Sequence, residues 1–253
     1  MDFIPMVYIG TSGWNYDHWK GPFYPEDTPK RCWLDFYSRH FSTVEVNATF
    51  YRQMKPSTYE TWRESTPRGF CWSLKANRFI THIKRLHDVQ EPLDRFFSSL
   101  SPLKEKLGPI LFQLPPSLVF DEGLLMTFLD QLPRQNRYTI EPRNKTWASE
   151  RVFSCLEQRG IAWCISDTAG RYPCCEEITA EFVYIRLHGS KKLYASCYSE
   201  KELAAWATKV IDWGRDTYVY FDNDFMGYAP ENASRLKALI AEHIPGSVKG
   251  HHT

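Results

Sequence analysis

Residues 182–189 read FVYIRLHG and residues 217–224 read TYVYFDND. In the first stretch Val183, Ile185 and Leu187 alternate with Tyr184, Arg186 and His188. In the second, Val219 and Phe221 alternate with Tyr220 and Asp222, before Asn223 and Asp224. A period of two is that of an extended strand, whose successive side chains leave opposite faces. One face is apolar and suits packing on helices. The other carries Arg, His and Asp, which need partners, water or a ligand when they leave bulk solvent. Strands of a closed barrel have both properties, with the polar groups late in the strand, at the end where such barrels bind substrates.

Six further segments extend the pattern toward the N-terminus. They are Met6–Gly10, running into Thr11, Ser12, Gly13 and Trp14, then Thr43–Phe50, Phe70–Ala76, Pro109–Leu114, Tyr138–Arg143 and Ile161–Asp167. Each has strand length and is rich in β-branched or aromatic residues. Helical spacing predicts Lys30–His40, Ser57–Ser65, Pro92–Leu107, Glu122–Leu132, Ala148–Arg159, Glu200–Trp213 and Pro230–His243 between or after them. Residues 168–181, with Gly170, Pro173 and the Cys174–Cys175 pair, show no helical face, so an irregular crossover is expected after the sixth strand. Alternating strands and helices imply a parallel sheet with right-handed crossovers. Eight units in 253 residues favour a closed (β/α)8 TIM-like barrel over an open doubly wound sheet. The open sheet would more readily carry a glycine-rich phosphate loop, and neither the dinucleotide nor the P-loop fingerprint occurs. The expectation is one domain over 1–245 and a flexible tail over 246–253.

The bulk numbers bound the function. A formal net charge of +1 gives no strong field for nucleic acid or a membrane surface. No apolar run approaches the roughly 20 residues that span a bilayer, and Met1–Tyr8 lacks the pattern of a secretory leader. The 7 Cys are odd in number and contain no C-x-x-C, which suits reduced thiols in a cytoplasmic protein.

Alternation assigns the inward residues. They are Glu45 and Asn47, Ser73 and Lys75, Gln113, then Thr139, Glu141 and Arg143, Asp167, Tyr184, Arg186 and His188, and Tyr220, Asp222 and Asp224, with Asn223 at the rim. Burying so many charges for stability alone is a poor solution, because desolvation can exceed the Coulomb gain. Mutual neutralisation inside the barrel is the bland alternative. Acids and bases balance, which argues against a two-metal site. A single ion on Glu141, Asp167 and His188 has no support from spacing. Two Arg and a Lys suit a small polar substrate with a carboxylate or phosphate.

The same residues carry a resemblance. Residues 10–14 with Tyr16 and Trp19, Val44–Asn47 with Thr49–Tyr51, and Lys75 with Ile80, Thr81 and His82 resemble the YecE-like family, domain of unknown function number seventy-two. Gln113–Pro116, Glu141–Arg143 with Trp147, Asp167, Tyr184 with Arg186, His188 and Gly189, and Tyr220–Asp224 are similar too. The resemblance runs from about residue 8 to 240 and implies a TIM-like barrel without supplying an activity. This chain has Asp222 where the family tends to have Asn, which adds a negative charge near the rim.

The site expected from sequence has Glu45, Glu141, Asp167 and His188 as acid–base candidates. Trp14, Asn47, Lys75, His82, Gln113, Arg143, Arg186, Asn223 and Asp224 are the substrate-binding candidates. His188 is either a general acid or base or a structural donor to a carboxylate of the last strand. Glu45 and Glu141 are either an acid–base pair or partners of Arg143 and Arg186. Lys75 is a Schiff-base candidate if burial depresses its pKa, but nearby carboxylates would keep it charged. The loop at 77–91, with His82, Lys84 and Arg85, reads as a basic lid or a solvated loop. Gly189–Lys192 reads as a weak phosphate turn or a solvated loop. Trp14, Tyr16, Trp19 and Trp147 either stack a ligand or cap the rim.

Four functions follow: an enzyme doing acid–base chemistry (hydrolase, lyase or isomerase) on a small anionic substrate, without an organic cofactor; a glycoside hydrolase; a nucleic-acid binding or repair protein; and a non-catalytic ligand-binding barrel. A glycosidase requires Glu45 and Glu141 free of Arg and about 5–5.5 Å apart for retention or about 6.5–9.5 Å apart for inversion.

Overall fold

In the computed structural model the described residues, 5–243, form eight parallel strands. These are β1 (Val7–Thr11), β2 (Thr43–Val46), β3 (Cys71–Lys75), β4 (Leu107–Gln113), β5 (Tyr138–Glu141), β6 (Ala162–Asp167), β7 (Phe182–Leu187) and β8 (Asp216–Phe221). Spatial order follows chain order, and β1 pairs with β8, as in a (β/α)8 barrel. The helices are α1 (Trp33–His40), α2 (Pro56–Glu64), α3 (Gln90–Leu100), α4 (Glu122–Asp130), α5 (Glu150–Glu157), α6 (Glu200–Trp213) and α7 (Tyr228–His243). The segment between β6 and β7 has no helix, in keeping with the irregular crossover expected there. The expected tail, 246–253, lies outside the described residues.

Two cores result from the alternation. Outward residues such as Val44, Trp72, Ile110, Ile140, Ile185 and Val219 are buried in the layer shared with the helices. Inside the barrel, Leu111, Cys164, Phe182, Tyr184, Tyr218 and Tyr220 form a separate packed cluster below the polar residues. The interior is filled, so a ligand of the central polar residues must enter from the C-terminal mouth.

The seam between β1 and β2 is the weak point of closure. It has one isolated backbone bridge, Ser12 with Glu45, where the other neighbours have regular ladders. A side chain substitutes for the missing ladder. The Tyr37 hydroxyl of α1 accepts from the Thr11 amide at 3.0 Å and donates to the Thr43 carbonyl at 3.0 Å. Gly10 makes room for this, because a Cβ there would stand 2.2 Å from the Thr43 oxygen and 3.0 Å from that hydroxyl.

Helix boundaries follow the capping chemistry. The predicted Glu200–Trp213 coincides with α6, where Ser199 and Glu202 form a capping box. α4 starts after Asp121, whose carboxylate accepts from the Leu124 amide at 2.8 Å. The expected second strand, Thr43–Phe50, is too long. Asn47 is already in the right-handed helical region, and Ala48–Tyr51 form a helical turn. The Thr49 hydroxyl is shared between the Val46 and Lys75 carbonyls, at 3.0 and 2.7 Å, which fastens that turn over the end of β3.

Candidate functional site

Arg186 lies at the centre of the barrel mouth, 1 % exposed. Neighbouring strands bring its partners to the same level: Ser166 and Tyr220 flank it in register, as Glu141 faces Gln113 and Glu45 faces Ser73. Its guanidinium holds Glu45 bidentately, Nε to Oε2 at 2.9 Å and Nη2 to Oε1 at 2.7 Å. Nη1 donates to Glu141 Oε2 at 2.8 Å, and Nη2 reaches Asp222 Oδ2 at 3.2 Å. Glu45 also accepts from the Ser12 and Tyr184 hydroxyls, each at 2.7 Å. Glu141 accepts from Ser166 at 3.0 Å and has Arg143 at 3.5 Å. Burial alone would raise the Glu141 carboxyl, but the Arg186 and Arg143 charges and His188 outweigh it and hold it well below the usual carboxylate range.

His188 is fully buried, one turn of the strand above Arg186. Its Nε2 is 3.2 Å from both Arg186 Nη1 and Glu141 Oε1, so its tautomer decides whether it accepts or donates. Nδ1 stands 2.9 Å from Asp222 Oδ2, without the alignment of a hydrogen bond. Burial pushes Asp222 up, but the His188 ring and Arg186 beside it hold it ionised below its ordinary value. Its side chain is 18 % exposed, so this carboxylate faces the mouth.

Lys75 differs from the other cations. Its Nζ donates to the neutral Gln113 Oε1 at 2.6 Å and sits over the Phe50 ring, 4.3 Å from the centroid. Among the described residues it forms no ion pair. Burial first, and the Arg186 charge second, lower it to about 8 against the opposing charges of Glu141, Glu45 and Asp222, so it stays mostly protonated near pH 7. Arg143 stacks over the Tyr172 ring at 4.7 Å with its side chain 12 % exposed. Tyr194 closes the same side, its ring edge-on to His188 at 5.4 Å.

Several expected site residues lie elsewhere. Asp167 points away from the barrel axis, because Ala162, Cys164 and Ser166 take the inward positions of β6. Its carboxylate accepts from Tyr198 at 2.9 Å and from the Ala169 amide at 3.2 Å. Asn47 turns toward the gap beside Trp14, since the strand has ended before it. Asn223 is structural, donating to the Ser196 carbonyl at 3.0 Å and Asn232 at 2.8 Å. Asp224 binds the Trp19 indole and lies 3.0 Å from His18 Nε2; burial raises it to about 6 against those two contacts. His82 is half-buried with its edge against Phe50, and burial together with Lys75 lowers it to about 4, so it is neutral near pH 7.

The expected lid is anchored. Ile80, Leu86 and Val89 are buried, and Arg85 donates to the Ser117 hydroxyl and carbonyl at 2.8 and 2.9 Å. In the Gly189–Lys192 turn, the Lys191 and Lys192 amides both point at Ser196 Oγ, 3.1 Å away, so they are spent on the loop itself. Gly189 has φ of 111°, and a Cβ there would meet the Lys192 carbonyl at 2.6 Å. Trp19 and Trp147 are buried rim caps, whereas Trp14 and Tyr16 face open space. Among the described residues, no group of three or more His, Cys, Asp or Glu side chains is placed to hold a metal ion, and no helix is long and apolar enough to cross a membrane.

Sequence reasoning missed Ser12 and Ser166, which donate to the two central glutamates, and gave Tyr184 no role beyond an inward position. Ser12 shares the parity of Tyr8 and Gly10, the inward positions of β1, and that alternation was the available signal.

Residues 8–251 match the family described as "Protein of unknown function DUF72". The UPF0759 protein YunF of Bacillus subtilis is 27% identical, over 93% of this chain and 95% of the relative. The UPF0759 protein YecE of Escherichia coli strain K12 is 26% identical, over 95% and 94%. A crystal structure of a DUF72 family protein from Thermotoga maritima superposes with a TM-score of 0.84 at 29% identity, covering 93% of this chain and 99% of that one. A DUF72 family protein from Enterococcus faecalis, at 19% identity and a TM-score of 0.81, shares the fold. The chain belongs to the DUF72 family.

Proposed function

We propose that this DUF72 protein is an enzyme that holds a small hydroxylated anion, a carboxylate or phosphate, at the mouth of its barrel and moves a proton on it. The observation that carries this reading is the contrast between the two buried cations. Arg186 is spent on three carboxylates. Lys75, whose amine contacts an amide and a ring and forms no ion pair among the described residues, keeps a partly labile charge. A desolvated amine near neutrality suits both binding an anion and exchanging a proton. Arg143 supplies a second cation for the anion. Ionised Asp222, backed by His188, is the acceptor for a substrate hydroxyl or an acidic C–H. Hydrolysis, elimination and isomerisation all run on such transfers.

The test is to incubate the protein with hydroxy acids and sugar phosphates and follow products by mass spectrometry. Conversion by the native enzyme is expected. Lys75→Met and Asp222→Asn should each lower kcat by roughly a hundredfold or more. Full activity in both variants, or no conversion of any compound, overturns the reading. A ligand that binds and returns unchanged supports the non-catalytic alternative.

Glycoside cleavage is less favoured. It needs one carboxylic acid with a raised pKa, and Glu141 is depressed while Arg186 bridges both glutamates. Nucleic-acid recognition would appear as binding that falls steeply with salt. Arg85, one of the cations of the basic loop at 77–91, is committed to Ser117.

A further inference from the structure

A cavity of about 640 Å³ opens beside the mouth, between the loops that follow β1 and β2. Neither the charged network nor the proposed turnover uses it. Trp14, Tyr16, Met54 and Trp62 supply its apolar lining, and Arg52 and Lys55 are the charged residues that line it. No acid does so among the described residues, and neither cation forms an ion pair there. The aromatic lining is set in advance. Trp62 stacks on buried Trp72 with centroids 5.0 Å apart and planes 15° apart, and Trp14 meets Trp62 edge-on at 5.6 Å. Asn47 adds a polar edge to the lining.

We infer that this cavity is a binding site for a small aromatic anion: a flat ring against Trp14 and Trp62 and a carboxylate or phosphate toward Arg52 and Lys55. Its volume falls within the range of small-molecule sites, and rigid apolar walls with a few placed polar groups are their usual construction. Two unpaired cations with no opposing acid select the anion. The inference stands whether or not the mouth turns anything over.

Anthranilate carries both features and accepts excitation energy from tryptophan. Its titration should quench tryptophan emission saturably. Anthranilamide, which lacks the charge, should bind about tenfold or more weakly, because one charge-assisted contact is worth at least that factor. The Arg52→Glu/Lys55→Glu protein, and separately Thr58→Trp, which fills the cavity, should lose saturation while circular dichroism stays native. Arg143→Ala, at the mouth, should leave affinity within about twofold, since that site is not the one probed. Quenching that never saturates, equal affinity for anthranilamide, native affinity in the charge-reversed protein, or loss of binding in Arg143→Ala each overturns the inference.

Discussion

The guanidinium of Arg186 has five N–H donors and no acceptor, and the barrel surrounds it with three carboxylates and an imidazole. Arg186→Met leaves Glu45 buried without a counter-charge and Glu141 with only Arg143, 3.5 Å away. Urea unfolding should show a loss of about 3–5 kcal/mol, the range for breaking a buried ion pair from one side. Lys75 behaves oppositely. Its amine is at about 8 in the folded chain against an ordinary 10.5. Between those values the unfolded chain binds the extra proton, so this residue's contribution to stability rises with pH across that window. Lys75→Met should therefore be more stable than the native protein near pH 7, with the advantage shrinking from pH 8 to 10.5; a constant difference across that range would contradict the assignment. Period-two alternation was enough to turn Glu45, Lys75, Glu141, Arg186 and His188 inward. It failed at β6, where Ser166 and Asp167 are adjacent and both polar, so polarity alone could not choose the phase. Side-chain size could: the crowded interior takes Ala162 and Cys164, and the helix layer takes Trp163 and Ile165.

Among the elements, α1 has a duty beyond packing, because its Tyr37 hydroxyl stands in for a rung of the β1–β2 ladder. Tyr37→Phe keeps the ring and removes the bridge, leaving the Thr11 amide and the Thr43 carbonyl without their hydroxyl partner. A loss of about 1–3 kcal/mol is expected, with faster hydrogen exchange at the Thr11 amide than at the β7–β8 ladder. Exchange that is unchanged at Thr11 would show that the seam closes by other means. Strands and helices could be read from their two periods, and α6 matched to the residue because its cap is written in Ser199 and Glu202. The end of β2 could not be read. Thr49, Phe50 and Tyr51 have strand-like side chains, and what bends them is a hydroxyl bonded to the end of β3, 26 residues away in sequence. The long loop after β3 was open to reading as a lid for the same reason: its anchor, Ser117, belongs to the next βα unit.

At the scale of the whole molecule, a near-neutral chain gathers its strongest charges in one place and cancels most of them there. Binding of a small anion at the mouth should weaken only modestly with salt, because buried charges are screened far less than surface ones. Titration calorimetry with the first substrate identified, at low and high ionic strength, checks this; a steep dependence would shift the binding to the exposed rim. The cancelling network also has a clear acid limit. Glu141 and Asp222 are held below their ordinary values, so the stability they confer is present above about pH 4 and drains away as pH falls through their folded values. Circular dichroism followed down the acid range should place the midpoint of unfolding higher for Arg186→Met than for the native chain.

The wall of the barrel is laddered everywhere except between its first two staves, which are joined by one tyrosine, a single backbone bridge and the Ser12–Glu45 side-chain bond. Gly13 and Trp14 extend from one stave and Val46 and Asn47 from the other, and the aromatic cavity lies between them. A guest lodged there grips both sides of the one gap the backbone leaves unlaced, so occupancy would act as a clasp and raise the temperature at which the whole hoop springs open.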